Sequence, residues 1–331
     1  MGIAVKRNER LDAIPSFDSG SGRGAGRFLS ILDFDREALT ACLDLAARLK
    51  AARAADVKHE RPLKGRHVAL LFEKPSLRTR STFQIAVREL GGDVIEPPPD
   101  VSLGGRETIA DVARNLERWV SLAVVRTYAQ ARLEEFAAAA PRLRVVNALT
   151  NEEHPCQALA DCLTLVEKWG SLRGRTIAFV GDGNNVATSL AQAATMLGAR
   201  VRLGSPSGFE LSDAARQSVV RAAQSSGSLE MTTDVEAAVR GADAVYTDVW
   251  TSMGQEDQAA GRLSVFVPYQ VNAALMSKAA PDALFMHCLP AHRGDEVTDE
   301  VIDSAASVVF DQAENRLHVQ KALLAMLAAT T

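Results

Sequence analysis

Apolar residues follow two patterns along this chain: short continuous runs, and longer stretches in which they recur at every third or fourth position. The runs are typical of strands buried on both faces, and the periodic stretches are typical of amphipathic helices. Because the two patterns alternate, the sequence predicts an α/β fold whose mostly parallel sheets are covered by helices on both faces. The predicted strands are 67–72, 93–96, 121–127 and 143–148, followed by 176–180, 200–203, 228–232, 244–247, 283–287 and 307–310.

The alternation forms two series, which predicts two open, mostly parallel α/β domains. Residues 1–27, rich in Gly and Ser from position 16 onward, are predicted to be a mobile N-terminal tail. Residues 28–150 form the first predicted domain, completed by a C-terminal helix within 315–331, and residues 151–314 form the second. Two parallel sheets that face each other bring the carboxyl ends of their strands to the cleft between them, which predicts the active site there.

Length, charge and cysteine spacing indicate which kinds of binding partner the protein is not built for. At 331 residues the chain is long enough for two cores, and its net charge of −4 gives no basic excess to attract nucleic acid or an anionic membrane surface. No apolar run approaches the length of a membrane span, and the N-terminus lacks the apolar core of a signal peptide. Because the four cysteines are scattered without a CxxC pair, we expect a cytoplasmic protein with reduced thiols that binds neither membranes nor nucleic acid.

The clearest candidate site is FEKPSLRTR, residues 72–80, which stands between a predicted strand and a predicted helix. Its Pro-Ser pair fits a helix start, with Ser76 as the N-cap. Free backbone N–H groups and the positive end of the helix dipole then meet Arg78, Thr79 and Arg80, which predicts a site for a phosphate dianion. The alternative is an ordinary solvated first turn, but basic residues are unfavourable at a helix N-terminus unless an anion is bound.

Further polar residues stand at predicted strand ends or helix starts. Arg126 closes an apolar strand, so we expect it to point from a dry floor into the cleft rather than to lie on the surface. His154 and Gln157 share one face of the connecting helix and can both donate to one carbonyl group, although a lone histidine is more often structural. Arg316, near the start of the last helix, either adds a cation to the anion site or is a surface arginine.

The segments that follow strands 244–247 and 283–287 carry groups suited to an amine. Asp248 and Ser252 can bind an ammonium group, but an Asp that caps a flexible loop fits the spacing equally well. The Cys288 thiol and the adjacent carbonyl groups can receive a substrate amine. A His/Cys metal site is disfavoured because its few candidate ligands crowd one turn, and no partner cluster occurs elsewhere in the sequence. We therefore expect no metal or other cofactor.

The segment GDGNN, residues 181–185, follows a predicted strand as a dinucleotide-binding loop does. Val186 stands where that fingerprint has its third glycine, and the next strand ends without the acid that binds a ribose. A nicotinamide-dependent dehydrogenase is therefore disfavoured. The two asparagines instead offer amide donors beside a helix N-terminus, an arrangement suited to a carboxylate.

Six motifs occur in one order along the chain: FEKPSLRTR, HPCQ, GDGNN, DVWTSMG, HCLPAHRG and AENRLH. Together they resemble the ornithine carbamoyltransferases of the aspartate/ornithine carbamoyltransferase superfamily, from about Phe28 to the C-terminus. The resemblance implies transfer of the carbamoyl group of carbamoyl phosphate to the δ-amine of L-ornithine, giving L-citrulline and phosphate without a cofactor. It also implies a homotrimer, and arginine biosynthesis rather than breakdown is the expected role.

The resemblance further implies a role for each motif residue. The residues expected to hold carbamoyl phosphate, Leu77 through its backbone N–H, are Ser76, Leu77, Arg78, Thr79, Arg126, His154, Gln157 and Arg316. The residues expected to hold the carboxylate, the α-amino group or the attacking amine of ornithine are Asn185, Asp248, Ser252, Met253, Cys288 and Leu289. The expected catalytic residues are Arg126, His154, Asp248 and Cys288.

One position departs from the family pattern. Family members often carry Gln or His near Ser102, where the side chain reaches the phosphate of a neighbouring subunit. Serine is shorter, so this contact between subunits is in doubt here.

The alternative functions are a sibling enzyme that uses aspartate, putrescine or an N-acylated ornithine, and a non-catalytic relative that serves as a scaffold. Asn185 and Asp248 argue for a substrate with a free carboxylate and a free α-amino group, and the intact motifs argue for catalysis.

Overall fold

The computed structural model describes residues 14–15, 26–99, 103, 105–224, 226–251 and 259–329. These residues form two five-stranded sheets, of order β1-β5-β4-β2-β3 and β10-β9-β6-β7-β8, in which all neighbouring strands run parallel. The prediction of two open, parallel α/β units is confirmed. The strands are β1 Arg27–Phe28, β2 His67–Phe72, β3 Asp93–Ile95, β4 Leu122–Arg126, β5 Arg144–Leu149, β6 Thr176–Val180, β7 Arg200–Gly204, β8 Ser228–Thr232, β9 Ala244–Thr247 and β10 Leu284–His287.

Successive residues of the central strands pack into different cores, since side chains alternate between the two faces of a sheet. In β2, Leu70 and Phe72 join a central core, whereas Ala69 and Leu71 join an outer core on the opposite face. The central core also contains Phe179 of β6, so it is shared by both halves of the molecule. Burial on both faces explains why these strands read as continuous apolar runs in the sequence.

Helices cover both faces of the sheets, and among the described ones none combines the length and the apolar character needed to cross a membrane. Most begin with a side-chain cap, as the helix at Ser76 was predicted to do. The helices are Arg36–Ala54, Leu77–Glu89, Ile109–Trp119, Gln130–Ala139, Pro155–Trp169, Asn185–Met196, Asp213–Ala223, Val235–Val239, Ala259–Phe266, Ala273–Met276, Asp299–Ile302 and Val309–Ala329.

Two long helices join the halves. Pro155–Trp169 connects the first sheet to the second and ends at Gly170, whose φ of +77° suits glycine. Val309–Ala329 is buried along most of its length and packs against this connecting helix and against Arg36–Ala54 and Leu77–Glu89. The chain therefore returns to the first half at its C-terminus, and the proposed domain boundaries stay a prediction.

The structure differs from the sequence prediction near both ends of the chain. The predicted strand 307–310 is wrong: Ser307 makes only an isolated bridge to Phe285, and a helix begins at Val309. A short apolar run fits a buried helical turn as well as a strand, so periodicity does not distinguish them. At the other end Arg27 already pairs with Val145, inside the predicted tail, of which residues 1–13 and 16–25 lie outside the described chain.

Candidate active site

The carboxyl ends of β2, β4 and β5 from the first sheet and of β6, β9 and β10 from the second surround one cavity of about 900 Å³. Parallel sheets place all their strand carboxyl ends at one edge, which brings residues from distant segments together. The predicted site residues that line this cavity are Ser76, Leu77, Arg78, Thr79, Arg126, His154, Asn185, Asp248, Cys288, Leu289 and Arg316. Ser252 and Met253, like Ser102, lie outside the described residues, and their roles stay predictions.

The helix Leu77–Glu89 points its N-terminus at the cavity. Ser76 is its N-cap, as predicted, and its hydroxyl accepts a hydrogen bond from the Thr79 N–H at 3.2 Å. The first turn of a helix has N–H groups without a carbonyl partner, so this terminus offers donors and a partial positive charge. Leu77, in that first turn, is 79% exposed and lines the cavity.

Arg80 does not take part in this site. Its Nε lies 2.6 Å from Glu96 Oε1, and its guanidinium packs over the Phe72 ring. The sequence-based placement of Arg80 beside the anion is therefore wrong. Arg78 and Arg80 are two positions apart and so lie on different sides of the helix, which leaves Arg78 at the cavity.

Two buried arginines complete the positive side of the cavity. Arg126 is 4% exposed at the end of β4, and Arg316 is 3% exposed in the last helix. Arg316 donates to Thr79 Oγ1 at 2.7 Å and to Gln157 Oε1 at 2.6 Å. Within the described chain the Nε atoms of both arginines are buried without a hydrogen-bond partner. Buried charges without a partner are costly, so this arrangement is suited to an anionic ligand.

The arginines stay charged, while His154 is neutral. Burial, reinforced by the charge of Arg316, lowers the pKa of Arg126 to about 10, which is still above neutral pH. Burial and then the charges of Arg316 and Arg126 lower the pKa of His154 well below its usual value. The His154 Nδ1 is buried and has no hydrogen-bond partner among the described residues. A neutral imidazole beside two cations can donate a hydrogen bond without adding charge.

Gln157 lies behind the cavity rather than in its wall. It is fully buried, its Oε1 accepts from Arg316, and its Nε2 donates to Asp161 Oδ1 at 2.8 Å. The side chain therefore orients Arg316. Direct contact between Gln157 and a ligand stays a prediction.

Lys74 lines the cavity and was missed by the sequence reasoning. It is 7% exposed, its Nζ donates to Asn151 Oδ1 at 2.6 Å, and the Tyr128 ring centre lies 4.7 Å away. Burial, followed by the charge of Arg126, lowers its pKa. Lys74 stands inside the FEKPSLRTR motif, so a signal was present, but a lysine before a helix reads as a solvated charge until tertiary contacts bury it.

On the opposite side, the helix Asn185–Met196 also points its N-terminus at the cavity. Asn184 is its N-cap: its Oδ1 accepts from two first-turn N–H groups at 3.0 and 3.1 Å, and its Nδ2 donates to Asp248 Oδ2 at 2.8 Å. Asn185 donates to the Thr150 carbonyl at 2.6 Å. Each side-chain amide carries a second N–H, so both asparagines keep a donor beyond these contacts.

Asp248 and Cys288 meet at the ends of β9 and β10. The Cys288 Sγ donates to Asp248 Oδ1 at 3.0 Å, and burial together with this carboxylate raises the pKa of Cys288 well above its usual value. Cys288 is therefore a protonated thiol rather than a nucleophile. Asp248 is 7% exposed, and its described partners, Asn184 and Cys288, are neutral. Its carboxylate is suited to an ammonium group.

The turn after β10 is held by hydrogen bonds of His287. The Leu289 N–H donates to His287 Nδ1 at 2.9 Å, and His287 Nε2 lies 3.2 Å from Glu296 Oε1. Leu289 has a φ of +57°, which is strained for a residue with a side chain, and these contacts hold it there. Asp248, His287 and Cys288 place ligand atoms within 4.8 Å of one another, as a metal site does. Both ring nitrogens of His287 are engaged, however, so the cluster is built as a hydrogen-bonded turn.

Two family models together cover most of the chain. Residues 27–167 match the model described as "Aspartate/ornithine carbamoyltransferase, carbamoyl-P binding domain". Residues 173–327 match the model described as "Aspartate/ornithine carbamoyltransferase, Asp/Orn binding domain". The first match contains the β1–β5 sheet and the second contains the β6–β10 sheet.

Individual relatives agree with these models. Proteins named ornithine carbamoyltransferase from Symbiobacterium thermophilum and Methanocorpusculum labreanum are 48% and 49% identical, each over 91% of this chain and 97% of the relative. The solved structure of ornithine carbamoyltransferase from Pyrococcus furiosus matches with a TM-score of 0.88 at 46% identity, covering 92% of this chain and 97% of that one. An anabolic ornithine carbamoyltransferase from Campylobacter jejuni matches with a TM-score of 0.84 at 33% identity, covering 91% and 98%.

Proposed function

This chain belongs to the aspartate/ornithine carbamoyltransferase family, and on that premise we propose how its cavity transfers the carbamoyl group of carbamoyl phosphate to the δ-amine of L-ornithine. The products are L-citrulline and phosphate. The observation that carries the proposal is the pair of buried guanidinium groups of Arg126 and Arg316, whose Nε atoms have no hydrogen-bond partner among the described residues, in the cavity that the carboxylate of Asp248 also lines.

The positive side of the cavity binds carbamoyl phosphate. The first turn of the helix Leu77–Glu89 offers backbone N–H groups to the phosphate, and Arg78 adds charge-assisted hydrogen bonds. Lys74 supplies a further positive charge to the same anion. The Thr79 hydroxyl accepts from Arg316, so its own O–H is free to donate to the substrate.

The carbonyl group of the substrate lies between Arg126 and His154. When the neutral δ-amine attacks the carbonyl carbon, a C–N bond forms and negative charge develops on the carbonyl oxygen. A donor already aimed at such a charge lowers the activation barrier by roughly 3–4 kcal/mol. Arg126 donates as a cation and His154 as a neutral imidazole. The bond from the carbonyl carbon to the phosphate oxygen then breaks, and the proton lost by the amine is taken up by the departing phosphate.

The opposite side of the cavity holds the amino acid. The helix N-terminus at Asn185 and the amide of that residue suit the α-carboxylate, and Asp248 suits the α-ammonium group. Held at both groups, ornithine extends its side chain toward the carbonyl carbon. Cys288, as a protonated thiol, and the carbonyl group of Leu289 stand near the attacking amine. Ser252 and Met253 remain part of this proposal as residues implied by the family.

An acceptor comparison tests the proposal. The purified chain is given carbamoyl phosphate with L-ornithine, putrescine, N-acetylornithine or L-aspartate, and the carbamoylated product and phosphate are measured. We expect L-ornithine to be used far better than the others. Exclusive use of putrescine would contradict the role of Asn185, and preference for N-acetylornithine would contradict the role of Asp248. No product with any acceptor would overturn carbamoyl transfer.

The finer proposals concern setting and assembly. We infer a cytoplasmic homotrimer that works in arginine biosynthesis, with residues 28–150 and the C-terminal helix forming the carbamoyl-phosphate domain and 151–314 the ornithine domain. The family models support such a division, and the name of the Campylobacter jejuni enzyme supports a biosynthetic role. Light scattering should give a mass three times that of one chain, and a monomer would contradict the trimer.

A further inference from the structure

Asp161 is a fully buried carboxylate that lies behind the cavity, in the connecting helix Pro155–Trp169. Its Oδ1 accepts two hydrogen bonds of 2.8 Å, one from Gln157 Nε2 and one from Gln312 Nε2. The hydroxyl of Tyr246 faces the same carboxyl group but lies outside hydrogen-bonding geometry. A buried carboxylate without a cation in direct contact is costly. Asp161 does not line the cavity, so contact with substrate does not explain it.

The first consequence of Asp161 is the orientation of the Gln157 amide. An ionised carboxylate only accepts hydrogen bonds, so the NH₂ end of Gln157 must face Asp161 and the oxygen end must face away. That oxygen accepts from Arg316, whose other terminal nitrogen donates to Thr79. A flipped amide would place its NH₂ group against the guanidinium. Asp161 therefore determines which end of Gln157 meets Arg316.

The second consequence is that Asp161 fixes the orientation of the Gln312 amide in the same way. The NH₂ end of Gln312 faces Asp161, and its Oε1 accepts from the backbone N–H of His287 at 3.0 Å. The His287 ring in turn accepts the N–H of Leu289. The 287–289 turn, which carries Cys288, is thus tied to the same carboxylate as Arg316.

We propose that Asp161 is a positioning residue that orients Gln157 and Gln312, and through them holds Arg316 and the 287–289 turn in place for the two substrates. This inference rests on the proposed function, because it assigns Arg316 to carbamoyl phosphate and the turn to ornithine. One buried oxygen atom then serves both sides of the cavity, Arg316 on one side and the 287–289 turn on the other.

The test compares Asp161→Asn with Asp161→Leu. Asparagine can keep its side-chain oxygen toward both glutamines, so we expect constants within roughly threefold of the wild type. Leucine removes the acceptor at similar size. We expect it to weaken carbamoyl phosphate binding, measured by calorimetry without ornithine, by roughly tenfold, and to raise the KM for ornithine by a similar factor.

A double-mutant cycle separates positioning from general damage. If Asp161 acts on carbamoyl phosphate through Arg316, the difference between Leu and Asn at position 161 should vanish in an Arg316→Met background. Persistence of the full difference there would overturn that arm of the proposal.

Gln312→Leu tests the other arm, and this test remains available even if Asp161→Leu does not fold. It should raise the KM for ornithine roughly tenfold and leave the affinity for carbamoyl phosphate unchanged, and an unchanged KM would overturn that arm.

Asp243→Asn is the matched control. Asp243 accepts from Arg175 and from the Thr176 N–H, each at 2.8 Å, at the end of the second sheet opposite the cavity. This variant should lower the melting temperature and leave both substrate constants unchanged.

Two outcomes separate the inference from the proposed function. Wild-type constants in a folded Asp161→Leu enzyme would overturn the inference while the proposed function stands. Absence of citrulline from the wild type would instead overturn the proposed function.

Discussion

The two helix N-termini that face the cavity have the same local construction and opposite surroundings. Leu77–Glu89 and Asn185–Met196 each begin a few residues after a central strand and each carry a side-chain cap, Ser76 or Asn184. The first is surrounded by the cations Lys74, Arg78, Arg126 and Arg316. The second is beside the carboxylates Asp182 and Asp248, and Arg262 is tied to Asp182 at 2.5 Å.

This difference shows what a helix terminus contributes and what it does not. The dipole and the free N–H groups favour a negative charge by about 0.3–1 kcal/mol at an exposed site, whichever anion it is. The charges brought in from other segments decide the ligand. With several cations added, the terminus suits a dianion such as a phosphate. With a carboxylate added, it suits a zwitterion, whose carboxylate meets the helix and whose ammonium meets the acid.

Removal of Arg78 tests the cationic terminus most directly. Arg78→Ala should lower kcat/KM by about 10²–10³, because a charge that contacts the phosphate in the transition state contributes roughly 3–4 kcal/mol. Arg78 is only partly buried, so circular dichroism and the melting temperature should stay close to those of the wild type. Near-normal turnover in a folded variant would contradict the phosphate role of this helix.

The buried carboxylate behind the cavity should make stability depend on pH. Burial raises the pKa of Asp161 to about 6 from an ordinary 3.8. The folded state then holds this proton more tightly than the unfolded state, so the wild type loses stability as the pH rises from about 4 to about 6. Asparagine does not ionise. The free energy of unfolding of Asp161→Asn, measured in urea, should therefore gain on the wild type by up to about 3 kcal/mol across that window. A constant difference would contradict the raised pKa.

Removal of the negative charge at the second terminus should weaken the binding of the amino acid and leave the binding of carbamoyl phosphate unchanged. Asp248→Asn leaves the α-ammonium group without its counter-charge, so the KM for ornithine should rise about 30-fold, which corresponds to roughly 2 kcal/mol. The affinity for carbamoyl phosphate, measured alone by calorimetry, should stay unchanged. An equal loss for both substrates would show that the two termini do not act separately.

Lys74 precedes the helix Leu77–Glu89, so its removal tests how much a cation outside the helix adds to the first terminus. Lys74→Met should weaken carbamoyl phosphate binding about tenfold, or about 1.4 kcal/mol, at the lower end for hydrogen bonds to charged groups. Lys50→Met is the control, because Lys50 pairs with Glu167 at 2.9 Å and does not line the cavity. Equal affinities for the two variants would remove Lys74 from the site.

The two caps should show the smallest effects. Ser76→Ala and Asn184→Ala each remove a side-chain acceptor from a helix start, which costs about 1 kcal/mol of unfolding free energy. Asn184 also donates to Asp248, so its loss should additionally raise the KM for ornithine. Chemical denaturation and steady-state kinetics measure both effects. If Ser76→Ala raised the KM for ornithine as much as Asn184→Ala does, the two termini would not be specialised.

Local chemistry allowed much of the fold to be predicted from the sequence alone. Strands β2, β6, β8 and β9 have the predicted bounds, because burial on both faces or a regular alternation leaves a clear apolar pattern. The cap at Ser76 was predictable for the same reason: it depends on residues within one helical turn. The ordered motifs pointed to the family that the comparisons then identified.

The tertiary structure decided which charged and polar groups serve the cavity. Arg80 was expected there and pairs with Glu96 instead, while Lys74 and Asp161, for which no role was predicted, are buried beside or behind the cavity. Arg316 reaches Thr79 across 237 positions of sequence. A long side chain can turn to any partner within its reach, and those partners come from segments that only the folded sheets bring together. Nearby residues determine where strands and helix caps form, whereas the partner of a charged side chain depends on segments far away in the sequence.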